Sequence, residues 1–264
     1  MTVIDVHAHI YPDKVADRAV HSVGDFYAVE IAGNGTASGL LRAAERTPIT
    51  NFVVHSVAVK QETVESINNF IAAQCKEHPE FIGFAAMHQD YPDKEAEIER
   101  AVSLGLKGLK LHPDTQHVNM DDPRLMELYE IIEGRIPLIV HTGDYRYEYS
   151  HPRRLRNILK TFPNLVVDAA HFGGWSIYDI GYDYLHDVEC FMDMSSSMAF
   201  LGDRRTKELV NLYGTERIMF GSDFPMWNPK TEYERFSSLG FTDDEYDRMF
   251  SKNAERFLGF AVEG

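Results

Sequence analysis

Short apolar runs recur along this chain, and they constrain its fold more than any other feature of the sequence. Stretches with the spacing of amphipathic helices separate them. The runs cover residues 3–7, 52–58, 81–87, 106–111, 137–141, 165–171, 190–195 and 217–223. After the first gap, successive runs are about 25–30 residues apart, the length of one strand and the helix that follows it. Such continuous apolar runs are typical of parallel strands buried on both faces.

Eight of these units predict an α/β chain folded as a (β/α)8 TIM barrel. An open, doubly wound sheet is the alternative, and it is less favoured because no glycine-rich dinucleotide-binding loop follows the first run. The length of 264 residues suits one barrel, and the sequence contains no internal repeat, low-complexity tract or linker. We therefore expect a single domain over residues 1–264.

Residues 10–51 depart from this spacing and predict an inserted loop and helix segment after strand 1. YPDKVADRAVHSV and LLRAAERT have helical character, and the glycine-containing stretch GDFYAVEIAGNGTASG lies between them. Long loops after barrel strands often carry lids and specificity elements. We expect residues 24–39 to form a mobile cover over the strand ends, with Gly33, Gly35 and Gly39 as flexible joints.

The composition excludes several classes of partner. The 26 basic and 41 acidic side chains give a net charge of −15, so nucleic acid is not expected, because its binding needs a basic surface. The two cysteines are far apart, and from the first residues we expect neither a signal peptide nor a membrane-spanning stretch. We expect a cytoplasmic location and no membrane partner, and a homo-oligomer is compatible with these features.

Polar residues stand at the C-terminal ends of several predicted strands, the edge at which such barrels place their chemistry. They are His7 and His9 on strand 1, Lys110 and His112 on strand 4, His141 on strand 5, His171 on strand 6 and Asp223 on strand 8. Along an extended strand, His7 and His9 share one face with Asp5. Imidazoles and a carboxylate gathered at one edge need a common partner, and a divalent metal suits these donors.

Four motifs in order, HAH, VHTG, AAHFGG and FGSDFP, resemble the amidohydrolase superfamily. They are most similar to the amidohydrolase-2 branch, which includes aminocarboxymuconate-semialdehyde decarboxylase, γ-resorcylate decarboxylase and pyrone-dicarboxylate hydrolase. The C-terminal NAERFLGF also resembles the closing helix of that branch. The resemblance extends along essentially the whole chain, and the ordered set of four motifs is specific.

The resemblance implies that His7, His9, His141 and Asp223 bind a divalent metal. Zinc is favoured, with manganese as the alternative because one ligand is a carboxylate. His171 would be the general acid/base, and Asp223 a second group that accepts a proton from a metal-activated water. Lys110 resembles the strand-4 lysine that is carboxylated and bridges two metals in dihydroorotase-like members. The branch is usually mononuclear, so one metal per chain is favoured.

The candidate substrate-binding residues are Lys110, His112, Arg146, Arg153 and Trp175. Arg146 and Arg153 follow strand 5 in GDYRYEYSHPRR, and an arginine there could bind a carboxylate through two hydrogen bonds. The alternative is a solvated loop whose arginines begin a helix. The local cluster of cations, in a chain of negative net charge, predicts a small carboxylated substrate. The remaining histidines, among them His55, are expected to be structural or surface residues.

Two reactions fit these residues, and the ligand set does not separate them. The favoured one is hydrolysis of a small carboxylated lactone, ester or amide, because the wider superfamily is mostly hydrolytic. The alternative is non-oxidative decarboxylation of a small aromatic or unsaturated carboxylic acid. A metal-binding barrel that lacks catalysis is disfavoured, because both His171 and Asp223 are present.

Overall fold

The computed structural model describes residues 2–263, which form eight β-strands. They are β1 (Val3–His9), β2 (Ile49–His55), β3 (Phe81–Ala86), β4 (Gly108–Leu111), β5 (Leu138–Val140), β6 (Val167–Ala169), β7 (Met192–Asp193) and β8 (Ile218–Met219). Strands β1 to β6 pair in parallel in chain order, and β7 pairs in parallel with β8. All of the predicted strands are confirmed, although β5 to β8 are shorter than the apolar runs that predict them.

Backbone hydrogen bonds join the two sheets into a closed barrel. Between β6 and β7, the N–H of Phe191 donates to Val167 O at 2.8 Å, and that of Ala169 donates to Phe191 O at 2.9 Å. Between β1 and β8, the N–H of Val6 donates to Phe220 O at 3.0 Å, and that of Asp223 donates to His7 O at 2.7 Å. The predicted (β/α)8 barrel is therefore confirmed, and an open doubly wound sheet is excluded.

Helices connect successive strands. They are α1 (Asp13–Tyr27), α2 (Ala37–Ala43), α3 (Val64–Glu77), α4 (Lys94–Ser103), α5 (Pro113–Gln116), α6 (Pro123–Ile132), α7 (Pro152–Thr161), α8 (Tyr178–Leu185), α9 (Met198–Tyr213), α10 (Pro229–Ser237), α11 (Asp243–Asp247) and α12 (Asn253–Leu258). A 3₁₀ turn covers Gln61–Thr63, and a π turn covers Arg248–Lys252. No helix within residues 2–263 has the length and apolar character that a bilayer span requires.

Local sequence explains where several helices begin. The side chains of Asp93 and Asp122 accept backbone N–H groups at the starts of α4 and α6, which satisfies donors that have no partner within the helix. Proline occupies the first turn of α6 and α7, where its fixed φ suits the helix and its missing N–H costs nothing. The helices pack on the outside of the barrel, where their apolar faces cover the strands.

The inserted segment lies between β1 and β2 and contains α1 and α2, as predicted. Helix α1 extends to Tyr27, so the predicted loop begins later than expected. Gly33 is closely packed: its N–H donates to Pro225 O at 2.8 Å, and a Cβ there would lie 2.3 Å from the Phe224 ring. This glycine allows the segment to approach the loop after β8. The mobility of residues 24–39 stays a prediction.

Candidate active site

A cavity of about 380 Å³ lies at the C-terminal ends of the strands. The structure brings together at its wall all the strand-end residues singled out from the sequence: His7, His9, Lys110, His112, His141, His171 and Asp223. The other part of the wall is largely apolar, and includes Val23, Phe26, Val57, Val59 and Met226. Helix α1 supplies two of these side chains, so the inserted segment covers the cavity. Asp5 is fully buried outside this wall, and its Oδ1 accepts the N–H groups of His7 and Ser222.

His7 is oriented by Asp193, the last residue of β7. Its Nδ1 lies 2.7 Å from Asp193 Oδ2, and both side chains are buried. Asp193 Oδ1 also accepts hydrogen bonds from the backbone N–H of His171 at 3.2 Å and of Ser195 at 2.9 Å. Burial by itself would raise the pKa of Asp193, but His7, His171 and Ser195 outweigh it and hold that pKa below its usual value. The carboxylate therefore keeps the proton of His7 on Nδ1 and leaves the Nε2 lone pair facing the cavity.

Asp223 faces both histidines of β1. Its Oδ1 lies 3.5 Å from His7 Nε2 and 3.5 Å from His9 Nε2. The backbone of Asp223 is left-handed, with φ of 58°, which turns the chain out of the strand and directs the side chain to the cavity. The Ser196 hydroxyl donates to Asp223 Oδ2, and Trp227 Nε1 donates to that hydroxyl oxygen at 2.8 Å. Burial raises the pKa of Asp223.

His141 and His171 direct lone pairs at each other. His141 Nε2 lies 3.0 Å from Gly143 O, and His171 Nδ1 lies 3.0 Å from Ser195 O. A carbonyl oxygen only accepts, so each of these nitrogens carries the proton of its neutral ring. The opposite nitrogens, His141 Nδ1 and His171 Nε2, are 3.1 Å apart. Burial lowers the pKa of His171 to about 4, so both rings are neutral near pH 7 in the structure as it stands. Two facing lone pairs repel unless a proton or a cation lies between them.

These distances fit a divalent metal. Two atoms that ligate one ion at about 2.0–2.2 Å are about 3–3.5 Å apart in tetrahedral or octahedral geometry. The separations of Asp223 Oδ1 from His7 Nε2 and His9 Nε2, and of His141 Nδ1 from His171 Nε2, fall in this range. The donors are imidazole nitrogens and a carboxylate oxygen. This set suits a transition metal better than Ca²⁺ or Mg²⁺, which prefer ligands that are all oxygen. His7, His9 and Asp223 converge at these distances and could hold such an ion, and His141 would join them through the lone pair that faces His171.

Sequence reasoning missed His55, the last residue of β2. Its ring contacts those of His7 and His9 edge-on, with centroids 4.9 and 4.4 Å away. Within the described residues, both of its nitrogens and His9 Nδ1 are buried and have no hydrogen-bond partner. His55 and Asp193 obey the rule that identified the other residues, since each is polar and ends an apolar strand. The apolar runs predicted from the sequence, 52–58 and 190–195, extend beyond these two residues, so only the observed strands place them at strand ends.

Lys110 projects from β4 into the donor cluster. Its side chain is buried, and its Nζ donates to His7 Nε2 at 3.0 Å. Burial lowers the pKa of Lys110 to about 8, although Asp223, Asp193 and Asp168 oppose that change. Within residues 2–263, Lys110 is the one lysine or arginine at the cavity wall. Its ammonium and a metal would compete for the same lone pair of His7.

The structure corrects the roles predicted for the two arginines. Arg153 begins α7 outside the cavity, with a side chain 53% exposed and 3.7 Å from Glu148. Arg146 binds Asp144 with its guanidinium and donates to Phe26 O at 2.5 Å. Its charge lies over four aromatic rings, among them Phe26 at 4.7 Å and Trp175 at 5.9 Å. Arg146 therefore fastens the end of α1 to the loop after β5. Its guanidinium is already paired with these protein groups, so it does not serve as the predicted carboxylate-binding residue.

Of the other two candidate substrate-binding residues, His112 lines the cavity and Trp175 does not. Trp175 is buried behind the cavity wall, with its ring 4.9 Å from that of Tyr27, so it supports the wall and does not line it. His112 lines the cavity, stacks on His141 at 4.0 Å and lies 2.7 Å from the Tyr27 hydroxyl.

Asp193→Asn is expected to weaken metal binding by about 10–100-fold, because the carboxylate that orients His7 and increases its basicity is lost. Titration of metal-free protein with Mn²⁺, followed by calorimetry, measures this affinity. Asp187→Asn is the control, since Asp187 pairs with Arg156 at the surface. Equal affinities of the two variants would contradict the role given to Asp193.

Comparison with known proteins agrees with the fold and shows the family. Residues 4–260 match the family model described as amidohydrolase. The chain is 22% identical over 241 residues to 2-amino-3-carboxymuconate-6-semialdehyde decarboxylase of Dictyostelium discoideum, a match covering 75% of this chain and 67% of that protein.

Two solved structures share the fold. One is an uncharacterised TIM-barrel protein of Bordetella bronchiseptica, with a TM-score of 0.76, 21% identity and coverage of 98% of this chain and 99% of that chain. The other is a dihydroxybenzoic acid decarboxylase of Polaromonas with bound manganese and the inhibitor 2-nitroresorcinol, with a TM-score of 0.74, 16% identity and coverage of 98% and 97%. The family match extends over nearly the whole chain and includes the four motifs. The chain therefore belongs to the amidohydrolase-2 family and is an enzyme of the amidohydrolase superfamily.

Proposed function

We propose that this enzyme catalyses metal-dependent, non-oxidative decarboxylation of a small aromatic or unsaturated carboxylic acid. The observation that carries the proposal is a buried ammonium, Lys110, next to convergent imidazole and carboxylate donors in a cavity whose other walls are largely apolar. Decarboxylation turns a charged carboxylate into neutral carbon dioxide, and an apolar environment favours that loss of charge. Two of the named relatives are decarboxylases, which supports this reaction over the hydrolysis favoured from the sequence.

His7, His9, His141 and Asp223 would hold the metal. The bound ion would supply a positive charge that attracts substrate oxygens and stabilises negative charge developing on them. Manganese in the Polaromonas enzyme supports Mn²⁺ as the first metal to load, with Zn²⁺ as the second. Asp193 keeps His7 in the required tautomer, and Ser196 orients Asp223.

Lys110 would bind the carboxylate of the substrate. Once the lone pair of His7 Nε2 is engaged elsewhere, the ammonium loses its acceptor at 3.0 Å and needs a new one. A buried cation in an apolar wall binds an anion strongly, because water does not screen the pair. The rest of an aromatic substrate would then lie against Val23, Phe26 and Met226.

His171 would transfer the proton. In this reaction a carbon of the substrate gains a proton, the bond from that carbon to the carboxylate breaks, and its electron pair stays on the carbon as carbon dioxide leaves. Ser195 O fixes the Nδ1–H of His171, so Nε2 is the atom that takes up and delivers the proton. The ring lines the cavity, and its Nε2 lies 3.1 Å from His141 Nδ1, beside the residues proposed to hold the metal.

Release of carbon dioxide tests the proposal. Protein loaded with Mn²⁺ or Zn²⁺ would be incubated with 2,6-dihydroxybenzoate, 5-carboxyvanillate and 2-amino-3-carboxymuconate semialdehyde, and with a matched set of carboxylated lactones. We expect metal-dependent release of carbon dioxide from at least one acid. Ring opening of lactones with no release of carbon dioxide from any acid would contradict decarboxylation and restore the hydrolase interpretation.

Lys110→Met is expected to lower kcat/KM for the acid by about 10–100-fold, the effect of losing a hydrogen bond to a charged group worth about 1.5–3 kcal/mol. Methionine keeps the length of the stem but removes the ammonium. Metal content is measured in parallel and should stay at the wild-type level. Arg153→Ala is the control with unchanged kinetics, because Arg153 lies outside the cavity. Unchanged kcat/KM in Lys110→Met would show that the carboxylate binds elsewhere.

A further inference from the structure

Tyr27, at the C-terminal end of α1, reaches the side of the cavity formed by β4. Its hydroxyl oxygen lies 2.7 Å from His112 Nε2. Its ring packs edge-on against Trp175 at 4.9 Å and lies 6.2 Å from that of His141. Tyr27 and His112 both line the cavity, so this hydrogen bond is made at the surface that a substrate would contact.

The direction of this hydrogen bond follows from the other nitrogen of His112. His112 precedes α5, and its Nδ1 accepts the backbone N–H of Thr115 at 3.5 Å, as an N-cap side chain does. A nitrogen that accepts a hydrogen bond carries no proton, so the proton of the neutral ring is on Nε2. His112 Nε2 therefore donates, and the oxygen of Tyr27 accepts.

This leaves the hydroxyl hydrogen of Tyr27 unused. Among residues 2–263, His112 Nε2 is the one hydrogen-bond partner of the Tyr27 hydroxyl. Burial raises the pKa of Tyr27 well above its usual value, so the hydroxyl keeps its hydrogen. Ser22 and Thr115 also line the cavity, but within the described residues neither lies within hydrogen-bond distance of this hydroxyl. The hydroxyl is therefore a donor that requires an acceptor within the cavity.

The position of this donor is fixed by the protein. Arg146 donates to Phe26 O and stacks on Phe26 and Tyr27, so the last turn of α1 is fastened to the loop after β5. His112 is in turn fixed by its N-cap hydrogen bond and its stack on His141. A donor fixed from both sides loses little entropy when a ligand binds, and it selects ligands by geometry.

We propose that Tyr27 is a specificity-determining residue whose hydroxyl donates a hydrogen bond to a second oxygen of the substrate, apart from its carboxylate. The substrates are then carboxylic acids that also carry a hydroxyl, alkoxy or carbonyl oxygen on the same ring or unsaturated chain. An acid that lacks this oxygen leaves the Tyr27 hydroxyl without a hydrogen-bond acceptor, so it binds more weakly. The reaction that follows binding rests on the proposed decarboxylase function, whereas the selectivity in binding does not.

Binding of methoxybenzoates tests the proposal, because a methoxy oxygen accepts a hydrogen bond but cannot donate one. Dissociation constants of benzoate and of 2-, 3- and 4-methoxybenzoate would be measured by calorimetry on Mn²⁺-loaded wild-type protein and Tyr27→Phe. The corresponding hydroxybenzoates form a second series in which the added group is smaller. We expect at least one isomer to bind about 3–10-fold more tightly than benzoate to the wild type, the contribution of one neutral hydrogen bond.

In Tyr27→Phe this gain should disappear, while the affinity for benzoate should change by less than about twofold, since the ring and its packing are kept. Tyr147→Phe is the matched control: its ring lies in the same aromatic cluster, 5.8 Å from Phe26, but outside the cavity wall. The gain should persist there. A gain that survives in Tyr27→Phe, the absence of any gain in both series, or no binding of any of these acids would overturn the proposal.

The two proposals fail separately. Selective binding that depends on Tyr27, together with no release of carbon dioxide from any acid, would reject decarboxylation and keep the role of Tyr27. Release of carbon dioxide at equal rates from substituted and unsubstituted acids, in both wild type and Tyr27→Phe, would reject the role of Tyr27 and keep decarboxylation.

Discussion

His7→Ala is expected to remove the bound metal and abolish turnover. The imidazole offers its Nε2 lone pair to the cavity, 3.5 Å from Asp223 Oδ1, and alanine offers no donor. Metal analysis of protein purified without chelator should find about one divalent metal per wild-type chain and almost none in the variant. Two metals per wild-type chain would instead indicate that Lys110 is carboxylated and bridges them.

His9→Ala separates ligand loss from misfolding. Removing His7 also leaves the Asp193 carboxylate buried beside an empty space, which destabilises the fold. Removing His9 leaves the pair of His7 and Asp193 intact, and it should still lower metal content sharply. Thermal unfolding of both variants, measured without metal, shows how much of the effect is on stability. Wild-type metal content in both variants would contradict the ligand assignment.

His171→Asn is expected to lower kcat by about 10²–10⁴-fold, the usual contribution of general acid/base catalysis, and to keep most of the metal. Asparagine can still donate a hydrogen bond, but it cannot carry the transferred proton. The measurements are steady-state kinetics on the substrate identified by carbon dioxide release and metal analysis of the same preparation. His151→Asn is the control, because His151 is the N-cap of α7 and asparagine is a good N-cap residue.

The metal contents of His171→Asn and His141→Ala decide which of the two histidines is the ligand and which carries the proton. His141 and His171 face each other at 3.1 Å, so either ring could reach an ion placed between them. If His171→Asn lost its metal while His141→Ala kept it, His171 would be the ligand and His141 the proton carrier. The hydrogen bond from His171 Nδ1 to Ser195 O would then orient a ligand and not an acid/base group.

The sequence by itself determined the barrel and the strand-end residues of the cavity wall. Parallel strands buried on both faces need continuous apolar runs, and helices between them need amphipathic spacing, so both are visible in local sequence. The carboxyl ends of all barrel strands meet at one edge, and this rule brought His7, His141 and Asp223 together before any contact was known. His55 and Asp193 were missed because the predicted runs 52–58 and 190–195 continue past them, whereas the observed strands end at these two residues.

Only the tertiary structure decided the partners of the charged and hydroxyl groups. Arg146 was a reasonable carboxylate-binding residue by sequence, but Asp144 and the end of α1 take its hydrogen bonds. Tyr27 meets His112 across 85 positions of the chain, at a distance that no local pattern encodes. Hydrogen bonds and ion pairs depend on distances of a few tenths of an ångström between groups remote in sequence. Burial pattern repeats along the chain and can be read from it, whereas the choice of a polar partner is made only when the packed helices and loops fix where each side chain ends.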